Sequence, residues 1–395
     1  MTRSSLAGGA WGLPGTGGMA VLRAGLAGCG SLALRGILPH LSLPDARAKV
    51  EVVAVADVDG ERARAAAERF GIAAHFTELE AMLAGAELDL ILIATPIPHH
   101  YSQAMAAIAA GKHVYVQKTL TTTLEEADSL LAARDRAGVK LAAAPGYELF
   151  PLTGVMREVV KGGGLGGVCV AYTYTLGFGH EWEAIRVGSG PLAEVDPSWY
   201  YRSGAGPLPD VTVYALQLAT SVLGPVRRVT ALANRRVPVR NWRGRQIPLE
   251  VEDNNVLLME FVCGALGVAV GSDCHGSQRI PWGALGVYGT TGVLEVTDVD
   301  FASGYPLRFQ FAGQDGAGEE ALALSHQLSL TGEHLAMEEP HVYAEIMDLA
   351  DAVLEDRPAR AAGEQARHVV EIIERARIAA ASGQTQELVS SFWPG

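Results

Sequence analysis

The sequence predicts a doubly wound α/β domain with a parallel sheet, followed by an α+β domain built on a large, open, mixed to antiparallel sheet. Three observations carry this. Strand-like and helical stretches alternate as far as Pro145; the strands of that region are continuous apolar runs; and beyond Pro151 strand follows strand with few helices between. A chain of 395 residues has room for two domains, at about 150 residues each.

The first region opens with an apolar run, Val21–Ala27, and glycines follow at once. Ser31–Leu41 has helical spacing. Glu51–Ala56 is a second strand ended by Asp57, and Glu61–Phe70 is a helix stopped by Gly71. Glu78–Ala84 gives a short helix. Leu88–Ala94 is a buried strand, His100–Ala110 a helix, His113–Val116 a strand, Leu124–Ala137 a helix and Lys140–Ala144 a strand. In the second region a helix, Leu152–Lys161, leads through a Gly-rich break to six strand-like runs. These are Val168–Thr175, Val226–Asn234, Asn255–Val262, Leu266–Gly271, Ala284–Tyr288 and Gly292–Val296. Asp210–Leu223 reads as a helix among them, and helical spacing returns from Pro340 to Ala381.

Composition narrows the function. The net charge of −13 supplies no basic face for nucleic acid. Residues 1–18, rich in Gly, Ser and Ala, lack the pattern of a secretory signal and are expected to be a loose tail ahead of Met19. The most apolar later stretch, Val256–Gly271, is broken by Glu260 and Gly264, so two strands turning at Cys263-Gly264 explain it better than a membrane helix of about 20 residues. Four cysteines without a CxxC pair, and eleven histidines without HExxH, indicate a reduced, cytoplasmic protein and no metal site.

The first strand runs into Gly28-Cys29-Gly30-Ser31-Leu32-Ala33 and then a helix, the context a dinucleotide fingerprint requires. Gly28 allows the tight turn, Gly30 lets the backbone approach a pyrophosphate, and Ala33 permits close helix–strand packing. The pyrophosphate would face the free N–H groups at the helix start, at Ser31 and Leu32. Asp57 can accept hydrogen bonds from the adenosine ribose and repels a 2′-phosphate. With Val58 rather than arginine after it, NAD is favoured over NADP, although Arg62 and Arg64 stand near.

From about Leu22 to Leu388 the chain resembles the glucose-fructose oxidoreductase / inositol dehydrogenase / MocA family. The likeness rests on the order and spacing of GLAGCGSLA (25–33), VAVADVDGERA (53–63), LILIATPIPHHYSQAMAAIAAGKHVYVQK (90–118), GAGPLPDVTVYALQLATSVLGPV (204–226), FVCGALGVAVG (261–271), VYGTTGVLEV (287–296) and ASGQTQEL (381–388). It implies an NAD-binding Rossmann domain over 19–145 and a C-terminal α+β domain over 146–395. It also implies a small-molecule sugar, cyclitol or polyol substrate between them, hydride exchange at a hydroxyl or carbonyl carbon, and homo-oligomers (dimers or tetramers) built through the open sheet.

In that family a lysine of a Glu-Lys-Pro motif carries the acid–base role, helped by an Asp-x-x-x-His pair. Here the first motif reads Gln117-Lys118-Thr119 and the second Asp210-Val211-Thr212-Val213-Tyr214. The resemblance assigns catalysis to Lys118 and Asp210, with Tyr214 in place of the histidine, either as a proton-transferring phenol or as a packing residue. Partial desolvation is expected to depress the pKa of Lys118, the more so without a glutamate at 117. Thr95, Pro96, His99, Gln117 and Lys118 itself join the expected cofactor contacts, His99 being either a contact or a helix-start residue. Tyr147, His180, Trp182 and Arg202 are candidate substrate contacts, with Trp199 and Tyr201 in the same irregular stretch. His275 reads as structural. Two other readings stay open at this point: a redox-neutral enzyme that uses NAD for elimination or epimerisation, and a regulatory protein that binds dinucleotide without turnover.

Overall fold

The computed structural model describes residues 21–393 apart from 187, 275–283, 297–306, 312–319, 323–329 and 331. The proposed tail and His275 lie outside the described residues. The first region forms a six-stranded parallel sheet from β1 (Leu22–Ala27), β2 (Val50–Ala56), β3 (Ala74–Phe76), β4 (Leu90–Ile93), β5 (His113–Val116) and β6 (Leu141–Ala143). Their order is β3-β2-β1-β4-β5-β6. β4 is buried along its whole length, as a strand covered by helices on both faces must be. Chain direction and the order reversal between β1 and β4 place a crevice at the C-terminal strand edge. Side-chain caps fix two of the covering helices: Asp59 accepts from the amide of Arg62, and Thr123 from that of Glu126.

The second region folds β7 (Val168–Leu176), β8 (Val226–Asn234), β9 (Val239–Trp242), β10 (Arg245–Pro248), β11 (Asn254–Phe261), β12 (Leu266–Ser272), β13 (Ala284–Gly289), β14 (Gly292–Val296), β15 (Leu307–Phe311), β16 (Glu320–Leu322) and β17 (Gln386–Glu387). Nine of them make one sheet, β16-β15-β14-β13-β7-β12-β11-β8-β17, and β9 pairs with β10 in a separate hairpin. Pairing is antiparallel except between β7 and β12, which run parallel. The turn at Cys263-Gly264 joins β11 to β12 as expected. The inner face packs on the buried helix Thr212–Leu223, and the outer face carries no covering element among the described residues.

Several features depart from the sequence expectation. Strands β3, β15, β16 and β17 and the β9–β10 hairpin were not foreseen: β3 is three residues long, and the hairpin strands are half polar. The expected helix Asp210–Leu223 is broken. Pro207–Asp210 forms one short turn, Val211 is a distorted turn residue at φ −108°, ψ −54°, still on the right-handed helical side, and the long helix begins at Thr212. The helices Pro340–Leu354 and Glu364–Ser382 return to the first domain, where Ala143 donates its amide to the carbonyl of Ala361 at 2.9 Å. Ala366 and Val370 enter the core beside β5 and β6.

Candidate active site

The site starts at the end of β1. Gly28 adopts φ +94°, and a Cβ there would lie 2.6 Å from the carbonyl oxygen of Ala94. Only glycine can take that turn against β4. A Cβ on Gly30 would have a single neighbour, a Val195 methyl at 3.9 Å, so Gly30 faces open space. Gly28, Gly30, Ser31 and Leu32 line a cavity of about 500 Å³ with Asp57, Thr95, Pro96, His99 and Gln117. Ala33 is fully buried and packs the helix on the sheet. These residues fit a dinucleotide: backbone without side chains at the turn, a carboxylate at the end of β2, and a helix start facing the cavity.

Asp57 is more occupied than its position suggests. One carboxylate oxygen accepts the Cys29 amide at 2.8 Å; the other accepts the Asp59 amide at 2.9 Å and the Arg62 guanidinium at 3.0 Å. Arg62 lines the same cavity, whereas Arg64 is exposed and pairs with Glu61 and Glu68. Burial, aided by Asp57, pushes the Cys29 thiol up to about 12, so it stays protonated.

A larger space of about 1010 Å³ adjoins this cavity. Arg35, Lys118, His180, Glu183, Asp210, Tyr214 and Glu339 line both. Lys118 follows β5, and its Nζ lies 3.1 Å from Oδ1 of Asp210 and 5.4 Å from the ring centre of Tyr214. The Lys118–Thr119 peptide is cis. The Thr119 hydroxyl donates to the carbonyl of Pro209, tying the lysine turn to the Asp210 turn. The ring nitrogens of buried His100 lie 2.7 Å from the Thr119 carbonyl and 2.8 Å from that of Thr95, clamping the two cofactor-edge turns together.

The expected depression of Lys118 is not found. Burial does push its pKa down, but the Asp210 carboxylate, with Tyr214 beside it, outweighs burial and holds the ammonium above the ordinary lysine range. Burial would raise Asp210, yet Lys118 and His180 bring it to about 2. Burial raises the Tyr214 phenol, and the Lys118 charge only partly opposes this. Gln117 is linked through Tyr115 to a buried acid, Glu345. Gln117 donates to the Tyr115 hydroxyl at 2.6 Å, and that hydroxyl donates to Glu345 at 2.6 Å, whose other oxygen takes the Gly146 amide at 2.8 Å.

The candidate substrate contacts divide. His180 is at the centre, with Nε2 3.0 Å from Oδ2 of Asp210 and Nδ1 against Glu183. Trp199 lines the cofactor cavity. Tyr147 does not line the cleft: it is buried against Phe150 in the core. Trp182 is 68 % exposed, and Arg202, extended just after the 3-10 turn Pro197–Tyr201, is exposed; neither lines the two cavities. Tyr201 is buried with Glu181 and Arg240.

Among the groups that escaped sequence reasoning, Arg35, Glu183, Arg186 and Glu339 face the first cavity. Arg35 pairs with Glu339, and a Cβ on Gly36 would sit 2.6 Å from Cβ of Glu339. The signal for that approach, a glycine inside a helix facing a distant acid, is visible only once both are placed.

The chain matches two family descriptions in succession: "Oxidoreductase family, NAD-binding Rossmann fold" over residues 22–144, and "GFO/IDH/MocA C-terminal domain" over 155–295. It is 32 % identical over 220 residues to the dTDP-3,4-didehydro-2,6-dideoxy-alpha-D-glucose 3-reductase of Streptomyces violaceoruber, spanning 55 % of this chain and 59 % of that protein. To the levoglucosan dehydrogenase of Pseudarthrobacter phenanthrenivorans it is 25 % identical over 258 residues, spanning 61 % of this chain and 63 % of that protein. The fold matches a levoglucosan dehydrogenase solved in complex with NADH, at a TM-score of 0.76 and 20 % identity, covering 94 % of this chain and 100 % of the other. With both of its domains matched in order, the chain belongs to the glucose-fructose oxidoreductase / inositol dehydrogenase / MocA family of oxidoreductases, with its NAD-binding Rossmann fold.

Proposed function

We propose that the protein is an NAD-dependent oxidoreductase that moves a hydride to or from a carbinol or carbonyl carbon of a sugar, cyclitol or related polyol. The observation that carries this is the Lys118–Asp210 pair at the boundary shared by the two cavities. The nicotinamide, when bound, accepts or supplies the hydride. Gly28, Gly30, Ser31 and Leu32 would hold its pyrophosphate and Asp57 its ribose; Thr95, Pro96 and Gln117 line the way to Lys118. As the ammonium, Lys118 gives its proton to the alkoxide during reduction; during oxidation it takes the hydroxyl proton only after releasing its own to solvent, as the neutral amine. Asp210 holds the ammonium in place and keeps it charged, which favours the donating role. Tyr214 lies under the ammonium and closes that side of the site. The first domain thus carries the dinucleotide, and the second supplies the substrate side and the subunit contacts. The names of the relatives, a keto-sugar reductase and a levoglucosan dehydrogenase, support a sugar-like substrate.

The test is a panel of sugars, cyclitols and glycosides with NAD and NADH, followed by nicotinamide absorbance. Lys118→Met is expected to lower kcat by about 10²–10⁴-fold, the usual worth of a general acid–base group. Its dinucleotide Kd should change far less than kcat, although Lys118 lines the same cavity. A variant that turns over at the parent rate removes Lys118 from the chemistry.

A further inference from the structure

Asp210 is shared between two cations. Oδ1 takes Lys118 at 3.1 Å and Oδ2 takes His180 at 3.0 Å, and the carboxylate side chain is only 5 % exposed. We infer that His180 sets how tightly Lys118 holds its proton, by competing with it for the carboxylate of Asp210. This deepens the proposed function and rests on Lys118 being its acid–base group. His180 acts through Asp210 and is a positioning residue.

The surroundings of His180 give it a charge to compete with. Within its own loop, Glu183 meets Nδ1, and Arg186 holds Glu183 at 2.7 Å. Beyond Glu183 stands the Arg35–Glu339 pair. From the 3-10 turn Pro197–Tyr201 come the rings of Tyr200, edge-on at 4.0 Å, and Trp199 at 6.4 Å. From the end of β12, Asp273 feels its charge. Burial pushes His180 down, but Glu183 and then Asp210 more than offset it and bring it up to about 9, so the ring is cationic at neutral pH. The loop is pinned: the next residue, Glu181, meets buried Arg240 and the hydroxyl of Tyr201.

The sign follows from this competition. While His180 is charged, Asp210 divides its attraction and Lys118 releases its proton more easily. Above about pH 9 His180 becomes neutral and Lys118 has the carboxylate to itself. His180→Gln keeps a donor without the charge and puts Lys118 in that second state at every pH.

The experiment is brief reductive methylation of the cofactor-free protein, quantified at Lys118 by peptide mass spectrometry from pH 7 to 10. Labelling needs the neutral amine and no turnover. His180→Gln should label about tenfold more slowly than the parent at pH 7.5, a shift of about one pH unit, from a unit charge about two hydrogen bonds away. The two curves should converge above pH 9. Glu183→Gln, which loosens the proton on His180, should move the same way, and His180→Lys should restore the parent rate. Equal labelling of parent and His180→Gln at pH 7.5, or a difference that persists unchanged to pH 10, overturns the inference. A shift in labelling in a protein that turns over no substrate would uphold the coupling and reject the catalytic reading; turnover without the shift would do the reverse.

Discussion

At Asp57 the carboxylate that would hold the adenosine ribose also holds Arg62 at 3.0 Å and the Cys29 amide at 2.8 Å. The acid therefore stabilises the glycine turn as well as facing the cavity, and the arginine beside it is neutralised while the acid is present. Removing the acid loosens the turn and frees a cation where a 2′-phosphate would lie. Asp57→Ala should weaken NAD by about 10–100-fold, the worth of a hydrogen bond to a charged group, and weaken NADP less. Titrating both dinucleotides against intrinsic fluorescence checks this; an equal loss for the two would exclude Asp57 from the discrimination. The same dependence on neighbours governs Lys118. Burial alone argues for a depressed lysine, and the placement of Asp210 reverses that.

Among the elements, the helix Pro340–Leu354 has the widest reach. Its start places Glu339 in the cavity against Arg35, and its first turns insert Glu345 beneath Tyr115 and Gln117. Burial pushes Glu345 up to about 7 from 4.5, against the help of Tyr115 and the Gly146 amide. Between these values the folded chain keeps a proton that the unfolded chain has released, so Glu345 costs stability progressively as pH rises from 4.5 to 7, and the loss is complete above that. Glu345→Gln does not titrate. The fall in unfolding free energy between pH 5 and pH 8 should shrink by about 3 kcal/mol in the variant. Urea melts at the two pH values measure it, and an unchanged fall would show that Glu345 is already ionised. The break at Val211 belongs to this scale too. It separates Asp210 from the helix that carries Tyr214, so their convergence on Lys118 owes as much to the Thr119–Pro209 tie as to helical spacing.

At the scale of the molecule, the nine-stranded sheet presents a broad outer face. The register aligns Val170, Tyr172, Leu266, Leu258, Val256 and Leu232 on one side of neighbouring strands, and all are exposed. A patch of this kind is costly to leave in water. A second copy of the chain is the proposed cover. Leu258, 52 % exposed near the middle, is the place to test it: Leu258→Arg should convert an oligomer to monomer by sedimentation velocity, with little change in thermal stability. A monomeric parent at micromolar concentration would reject the proposal.

The sequence by itself determined the alternation of strand and helix, the glycine turn after β1, the acid ending β2 and the long strands of the second sheet. Those features rest on contacts between near neighbours, or on apolar periods that any packing must respect. Lys118, Asp210 and His180 were each legible as residues. That they share one carboxylate was not, because 30 residues separate His180 from Asp210 and 92 separate Lys118 from it. The tertiary structure also decided that Trp182 and Arg202 face outward, that Tyr147 is core, that Glu339 reaches the site from the far end of the chain, and that Glu345 is buried beneath Tyr115. Charges act through space rather than along the chain. The sign of the shift at Lys118 was therefore set only when the fold chose its neighbours.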